Sequence, residues 1–366
     1  MAPPRPPPEL VDDAVAEILL RLPPDEPACL VRASLVCKRW RRFFADPAFP
    51  RRYREFHRTP PLLGFLHNSH RGRHNLPRFV PTTALPCPKP EFDYLDWWAM
   101  DCRHGRVLLH EYYKNSLLVW DPIIGRRRRL RDPRFPHSPF DYSAVVLCAI
   151  DGCNHLDCHD GPFHIVFVDV NEFIGLTRAW VYSSEAATWS KPTSVQLCKG
   201  NDDSHLGRGV LIGDQIYFML QSNVRILKYD LGNHCLSVIN SQDLGLYSDS
   251  GIVLMPIADG SLGIISVKDS SLCLWSRIVN LNGVAEWVRF RAIELQELIP
   301  IDILGNGPEV VGFAEGAGIV FVRTDFAAFT IELKSGRARK VGKSEDFFDV
   351  LPFMSFYTPG MVVAFY

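Results

Sequence analysis

The chain has 366 residues, 47% of them hydrophobic and 22% charged, with a formal net charge of -1. That is room for one large folded unit plus a small one, in an ordinary folded-protein composition. It gives no global electrostatic case for binding nucleic acid or an anionic membrane, and no stretch approaches the ~18 apolar residues of a membrane helix. Met1 to Pro8 is proline-rich and followed by acids, unlike the basic, then apolar, start of a secretory signal. The expected setting is therefore cytoplasmic and/or nuclear, with the ten cysteines as free thiols.

Residues 1–8 are expected to be a disordered, extended tail, since five of the six positions from Pro3 to Pro8 are proline. Val15, Ile18, Leu19 and Leu22 then fall at i, i+3, i+4 and i+7, one apolar helical stripe. Asp12 and Asp13 stand where a helix N-terminus favours acids, and Pro23-Pro24 ends the helix. Pro27 suits the first turn of a second helix, which carries Leu30, Ala33, Val36 and Cys37. Lys38 to Phe44 reads as a third short helix that stops near Asp46-Pro47. Charge is segregated: residues 1–36 hold three Arg against six acids, residues 37–58 eight Lys or Arg against two. The basic run reads as a solvated helix face, because nothing interleaves it with glycine and aromatics. Three short helices bury little core alone, so their stripes need a partner, either the rest of the chain or another protein.

The run from Leu10 to Phe49 resembles the F-box motif of plant F-box proteins. Its most specific parts are Leu35-Val36-Cys37-Lys38-Arg39-Trp40-Arg41 and Asp46-Pro47-Ala48-Phe49, with Ile18-Leu19 and Leu22-Pro23 matching the first half. Val11 and Ala14 depart from the family's usual opening Leu-Pro and following Leu. The resemblance implies a small three-helix domain over residues 9–50 that binds a Skp-family adaptor, and through it a cullin. The implied adaptor contacts are Leu10, Val15, Ile18, Leu19, Leu22, Pro23, Leu30, Val36, Cys37 and Trp40. Each could instead serve internal packing, and Trp40 could hold the three helices together.

Residues 51–60 read as a linker or helical extension, bounded by Thr59-Pro60-Pro61. Beyond them no long amphipathic helix is evident. Strand-like runs recur between turn residues: Arg106–His110, Leu117–Trp120, Ile165–Val170, Ala179–Tyr182, Gln215–Leu220, Val224–Tyr229, Leu262–Val267, Leu272–Trp275, Gly318–Val322 and Ala327–Leu333. The turn glycines Gly232, Gly283 and Gly336 lie about fifty residues apart, a spacing of propeller blades. Residues 61–366 resemble the F-box-associated β-propeller of plant F-box proteins, though without a kelch or WD signature. The expected fold is thus α+β and multidomain: a three-helix F-box and then an all-β propeller of about six blades, with a β-sandwich as the alternative.

No catalytic pair, nucleophile elbow, phosphate-cradling loop or dinucleotide fingerprint is evident. His110-Glu111 lacks the second His of a zincin helix. The sharpest chemical cluster is Cys153-Asn154-His155-Leu156-Asp157-Cys158-His159-Asp160, followed by His164. Its ligand types suit zinc, but without a C-x-x-C it is expected to be an inter-strand loop holding no metal. Arg126 to Arg129 with Arg131 is expected to be an exposed turn. The sequence thus predicts a non-catalytic receptor subunit of a Skp–cullin–F-box ubiquitin ligase, needing no cofactor and presenting a target protein. A non-ligase interaction propeller and a sugar- or small-molecule-binding propeller are the alternatives.

Overall fold

A computed structural model describes residues 10–68, 70–71, 74–75, 77–83, 97–111, 114–133, 142–158, 160–171, 174–197, 206–220, 225–240, 251–280, 285–305, 307–344, 347 and 349–359. Four helices open it: α1 Asp12–Leu20, α2 Pro27–Val36, α3 Lys38–Ala45 and α4 Ala48–His57. The boundaries follow local chemistry. Asp12 and Asp13 occupy the first turn of α1 and Pro27 that of α2, where an acid meets the helix dipole and a missing N–H costs nothing. Cys37 is fully extended, and its Sγ accepts the Trp40 N–H at 3.4 Å, capping α3. The Asp46 carboxylate accepts the Ala48 N–H at 2.9 Å at the entrance to α4.

The rest of the described chain is β, apart from a 3-10 turn at Leu295–Glu297 and a single helical turn at Ile301–Leu304 before the last blade. Five four-strand antiparallel blades follow in order, beginning at Trp97–Arg103, Tyr142–Cys148, Val210–Ile212, Ile252–Pro256 and Glu309–Ala314. The outer strand of the second of these is split between Thr188–Trp189 and Thr193–Gln196. A sixth sheet takes Leu62–His67 from the start of the domain and pairs it with Val350–Met354 on one side and Arg78–Pro81 on the other. The ring is therefore closed by strands nearly 300 residues apart, which removes two exposed edges. The ten expected strand windows all fall on observed strands, with Gln215–Leu220 matching end to end. Val224, Gly283, His159 and the expected disordered tail at residues 1–8 lie outside the described residues.

The core decides between propeller and sandwich. A sandwich buries one slab between two sheets. Here the buried apolar residues form six wedges, one between each pair of adjacent blades. Phe65 and Phe321 meet across one wedge at 5.0 Å between ring centroids. Phe167 and Tyr142 stack at 5.3 Å in another, which also holds Leu108 of the preceding blade. Phe218 sits with Val166 in a third. The inner strands are covered on both faces by neighbouring blades and read as near-continuous apolar runs: Ser116–Trp120 is buried at every position, whereas the outer strand Arg127–Arg131 is mostly exposed. Tight turns complete the hairpins. His104 and Gly105, at φ 52° and 74°, form a two-residue turn of the kind that matches strand twist.

The antiparallel order fixes which turns share a face. The turn from first to second strand of each blade lies on one face of the ring, and the strand ends at which one blade gives way to the next lie on the other. The helices sit on the first face. α4 leads directly into Leu62–His67, and Thr59 approaches Gly316 in the first-to-second turn of the last blade.

Candidate functional site

Helix α1 has two apolar faces. Val15, Ala16, Leu19 and Leu20 are buried, and Val15, Leu19 and Leu20 pack with Leu30, Ala33, Phe44, Phe49 and Tyr53. Val11, Ala14 and Ile18 follow the i, i+3, i+7 row on the outer side. Ile18 is 47% exposed, Val11 is exposed and Ala14 is half-buried. The two departures from the F-box pattern, Val11 and Ala14, thus fall on this outer row. Arg39 donates to the Leu10 carbonyl at 2.7 Å and to the Asp12 carboxylate at 2.6 Å. It thereby draws the α2–α3 corner, with the exposed Leu35 and Val36, to the start of α1, with the exposed Leu10.

The residues expected at an adaptor contact divide accordingly. Leu10, Ile18, Pro23, Val36 and Cys37 are on the surface. Val15, Leu19 and Leu30 are inside, the last with no exposed surface. Leu22 and Trp40 are half-buried against the same cluster. Val36 and Cys37 leave the inner stripe because α2 ends at Val36 and Cys37 turns to extended backbone (φ -159°, ψ 165°). Leu35 and Val11, part of the motif but outside the expected contacts, also lie on the surface, because a single stripe per helix does not reach the outer row.

The helical cluster extends beyond the first fifty residues. Tyr53 on α4 is wholly buried, donates its hydroxyl to the Leu22 carbonyl at 2.7 Å, and meets Phe356 edge-on at 6.2 Å. Phe356 follows the ring-closing strand, so the propeller contributes to the helical core. Arg54, also buried, pairs with Asp157 in the connection between Cys148 and Phe163, and Leu156 of that connection packs on the helical cluster. Burial lowers the Arg54 pKa and the Asp157 carboxylate opposes that shift.

The same connection, an inter-strand loop as expected, brings four potential ligands together. Folding brings Cys148 to Cys153, His155 and Cys158, with one ligand atom from each within 4.8 Å of all the others. Burial pushes the Cys158 thiol up to about 12, and the neighbouring Cys148 adds to the rise. His104 stacks on His155 at 4.0 Å, and burial lowers its pKa to about 3, with His155 and the nearby arginines adding to the fall. Cys148 was missed because it ends a strand, separated from the other three by a turn. His164, in the following strand, stands outside the group.

On the ring axis a cavity of about 420 Å³ is lined by the first strands of the blades, among them Met100, Ser143, Val210, Leu254, Val311 and Leu351. Its polar wall includes Arg103 and Arg208, which flank the fully buried Asp101 at 3.5 and 3.4 Å. The Asp101 carboxylate also accepts the Val146 N–H at 3.0 Å. Elsewhere His110 bridges Asp132 (3.3 Å) and Tyr142 (2.6 Å), all three buried, joining two blades by hydrogen bonds.

Comparison with known proteins matches residues 8–52 to the F-box domain and residues 98–361 to the family described as F-box protein AT5G49610-like, beta-propeller. No curated protein matches the chain. Among solved structures, a functionally unknown protein from Desulfotomaculum acetoxidans is 10% identical, with a TM-score of 0.43, over 79% of this chain and 99% of its own. A protein from Lactobacillus plantarum is 14% identical, with a TM-score of 0.38, over 79% and 80%. An extracellular domain from B. thetaiotaomicron is 13% identical, with a TM-score of 0.37, over 69% of this chain and 28% of that one. The chain thus spans well under a third of this last protein.

Proposed function

Because the chain belongs to the F-box proteins with an AT5G49610-like β-propeller, we propose that it is the substrate-receptor subunit of a Skp–cullin–F-box ubiquitin ligase. The observation that carries this reading is the unspent apolar surface of the helices. Leu10, Val11, Ile18, Leu35 and Val36 are exposed after the helical core has been filled. An adaptor groove that takes a few apolar anchors gains most of its affinity from such residues. F-box domains generally bind Skp-family adaptors, and a cullin would follow through the adaptor.

The propeller supplies the other half. With the helices on the face of the first-to-second strand turns, the opposite face is the one that would hold a target protein. Tethering raises the effective concentration of target lysines near a ubiquitin-charged enzyme recruited by the scaffold. The isopeptide chemistry belongs to that enzyme, and this chain acts without catalysis.

The test uses substitutions at exposed positions, which leave folding intact. Ile18→Asp combined with Val36→Asp should abolish co-purification of the full chain with a Skp-family adaptor while leaving its melting temperature unchanged. Undiminished co-purification would refute the assignment. The axial cavity favours a second reading, a propeller that takes a sugar or other small molecule against the polar wall that includes Arg208. Ligand-induced thermal stabilisation lost in Arg208→Ala, with adaptor binding absent, would select it.

A further inference from the structure

We propose that Cys148, Cys153, His155 and Cys158 bind one zinc ion, and that the ion fixes the loop on which the helical unit rests.

The donor set is the first argument. Three thiols and one imidazole form a Cys₃His site, a common structural zinc set, and soft thiolates select zinc over the hard divalent cations. In a tetrahedral site, Zn–S and Zn–N bonds place ligand atoms about 3.5–3.8 Å apart. Cys158 Sγ and His155 Nδ1 are 3.7 Å apart, and no pair of the four exceeds 4.8 Å. Small rotations of the wider pairs complete the tetrahedron. A disulfide would use two sulfurs and strand the third beside the imidazole, leaving the convergence of four groups without a reason.

The backbone around the donors is shaped for this arrangement. Gly152 and His155 both have left-handed backbone, at φ 64° and 58°. A non-glycine residue rarely adopts that conformation, and here it turns the imidazole back toward the sulfurs. The Ile150 N–H points to Cys148 Sγ and the His155 N–H to Cys153 Sγ, each at 3.4 Å. Such N–H···S bonds support thiolate charge in the shell around a metal. Three thiolates on a divalent ion leave one negative charge, and the three thiol protons are released to solvent. Arg106, buried beside the loop, donates to the Cys158 and Gly161 carbonyls and supplies a nearby positive charge.

The loop needs a fastener. It is long for a connection within a blade, and Ile150, one of its two large aliphatic side chains, is 41% exposed. Yet it carries load. Leu156 and Asp157, between two of the donors, are the residues that meet the helical cluster and Arg54. Metal at the cluster fixes both, and so fixes the seat of α4 on the propeller.

Elemental analysis of the full chain, purified without chelator from zinc-supplemented cells, tests the site. About one zinc per chain is expected. Cobalt substitution should give the thiolate charge-transfer and strong visible bands of a tetrahedral site. Cys153→Ser with Cys158→Ser should remove the zinc, and the exposed Cys235→Ser should retain it. Wild-type protein with neither zinc nor cobalt bands overturns the proposal, whether or not the double variant folds. So does zinc retained by a folded double variant, or a disulfide among these cysteines in protein from reducing cells. For the seating role, chelation should raise amide exchange in both residues 149–162 and α4 by about tenfold or more. Exchange in α4 that is unaffected by zinc loss refutes that half. These readouts concern metal and exchange, so they stand whether or not an adaptor binds.

Discussion

Tyr53 and Arg54 show how adjacent residues on one helix serve two different contacts. The Tyr53 ring lies inside the helical core, against Phe49 and Phe356, and its hydroxyl reaches the Leu22 carbonyl. Tyr53→Phe should cost about 1 kcal/mol, the worth of one hydrogen bond and its unsatisfied acceptor, and Tyr53→Ala about 3–5 kcal/mol. Equilibrium urea unfolding measures both. Titration adds a second check. Burial pushes the Tyr229 phenol up from 10.0 to about 12, with Cys235 and Asp230 adding to the rise. In the unfolded chain the phenol ionises near 10, so the unfolded state sheds its proton first as pH rises. Stability from this group is therefore complete below pH 10 and is lost progressively from pH 10 toward 12. Tyr229→Phe should flatten that alkaline decline in a series of melts; an unchanged slope would contradict it.

At the scale of an element, α1 is best understood as a helix with two employers. Its inner row fills a core shared with α2, α3, α4 and Phe356, and its outer row meets solvent. Substitutions on the two rows should separate stability from binding. Leu30→Ala, on the helix that the inner row packs against, should cost about 2–5 kcal/mol through lost contact and a residual cavity. Ile18→Asp should change stability by no more than about 0.5 kcal/mol, as exposed substitutions do. Chemical denaturation distinguishes them. The inner β strands obey a different logic, being covered on both faces by neighbouring blades, so Ser116–Trp120 shows no exposed side. That is why these strands appear in the sequence as short apolar runs.

At the scale of the molecule, closure is the decisive event. Val350–Met354 supplies a hydrogen-bonded partner to Leu62–His67 and carries Leu351 and Phe353 into the wedge against the next blade. Phe356 then crosses to the helices. Deleting residues 350–366 should therefore weaken ring and helical unit together, exposing a strand edge and removing the buried side chains of Val350, Leu351, Phe353 and Phe356. A lowered melting temperature with aggregation on heating is expected from scanning calorimetry and light scattering. A truncated chain that melts like the full one would show that the ring does not depend on this seam.

Much of this arrangement was legible because its causes are local. Pro23-Pro24 and Pro27 set helix ends wherever they occur, since a proline ring fixes φ and removes a donor. The strand windows were found because short β-branched and aromatic runs between turn residues need no distant information. The F-box pattern from Leu10 to Phe49 was readable for the same reason. Other features depend on what distant segments bring. Whether Leu19 faces a partner or a core depends on Phe356 and Tyr53 closing over it. Whether Cys153, His155 and Cys158 form a plain loop or part of a four-donor cluster depends on the strand end at Cys148 and the left-handed turns that fold the chain back. The sequence by itself determined the helices, the strands and the family to which they belong. Only the tertiary structure decided which apolar faces remain free and where the cysteines meet, because burial and convergence are properties of packing between segments and leave no local periodicity to read.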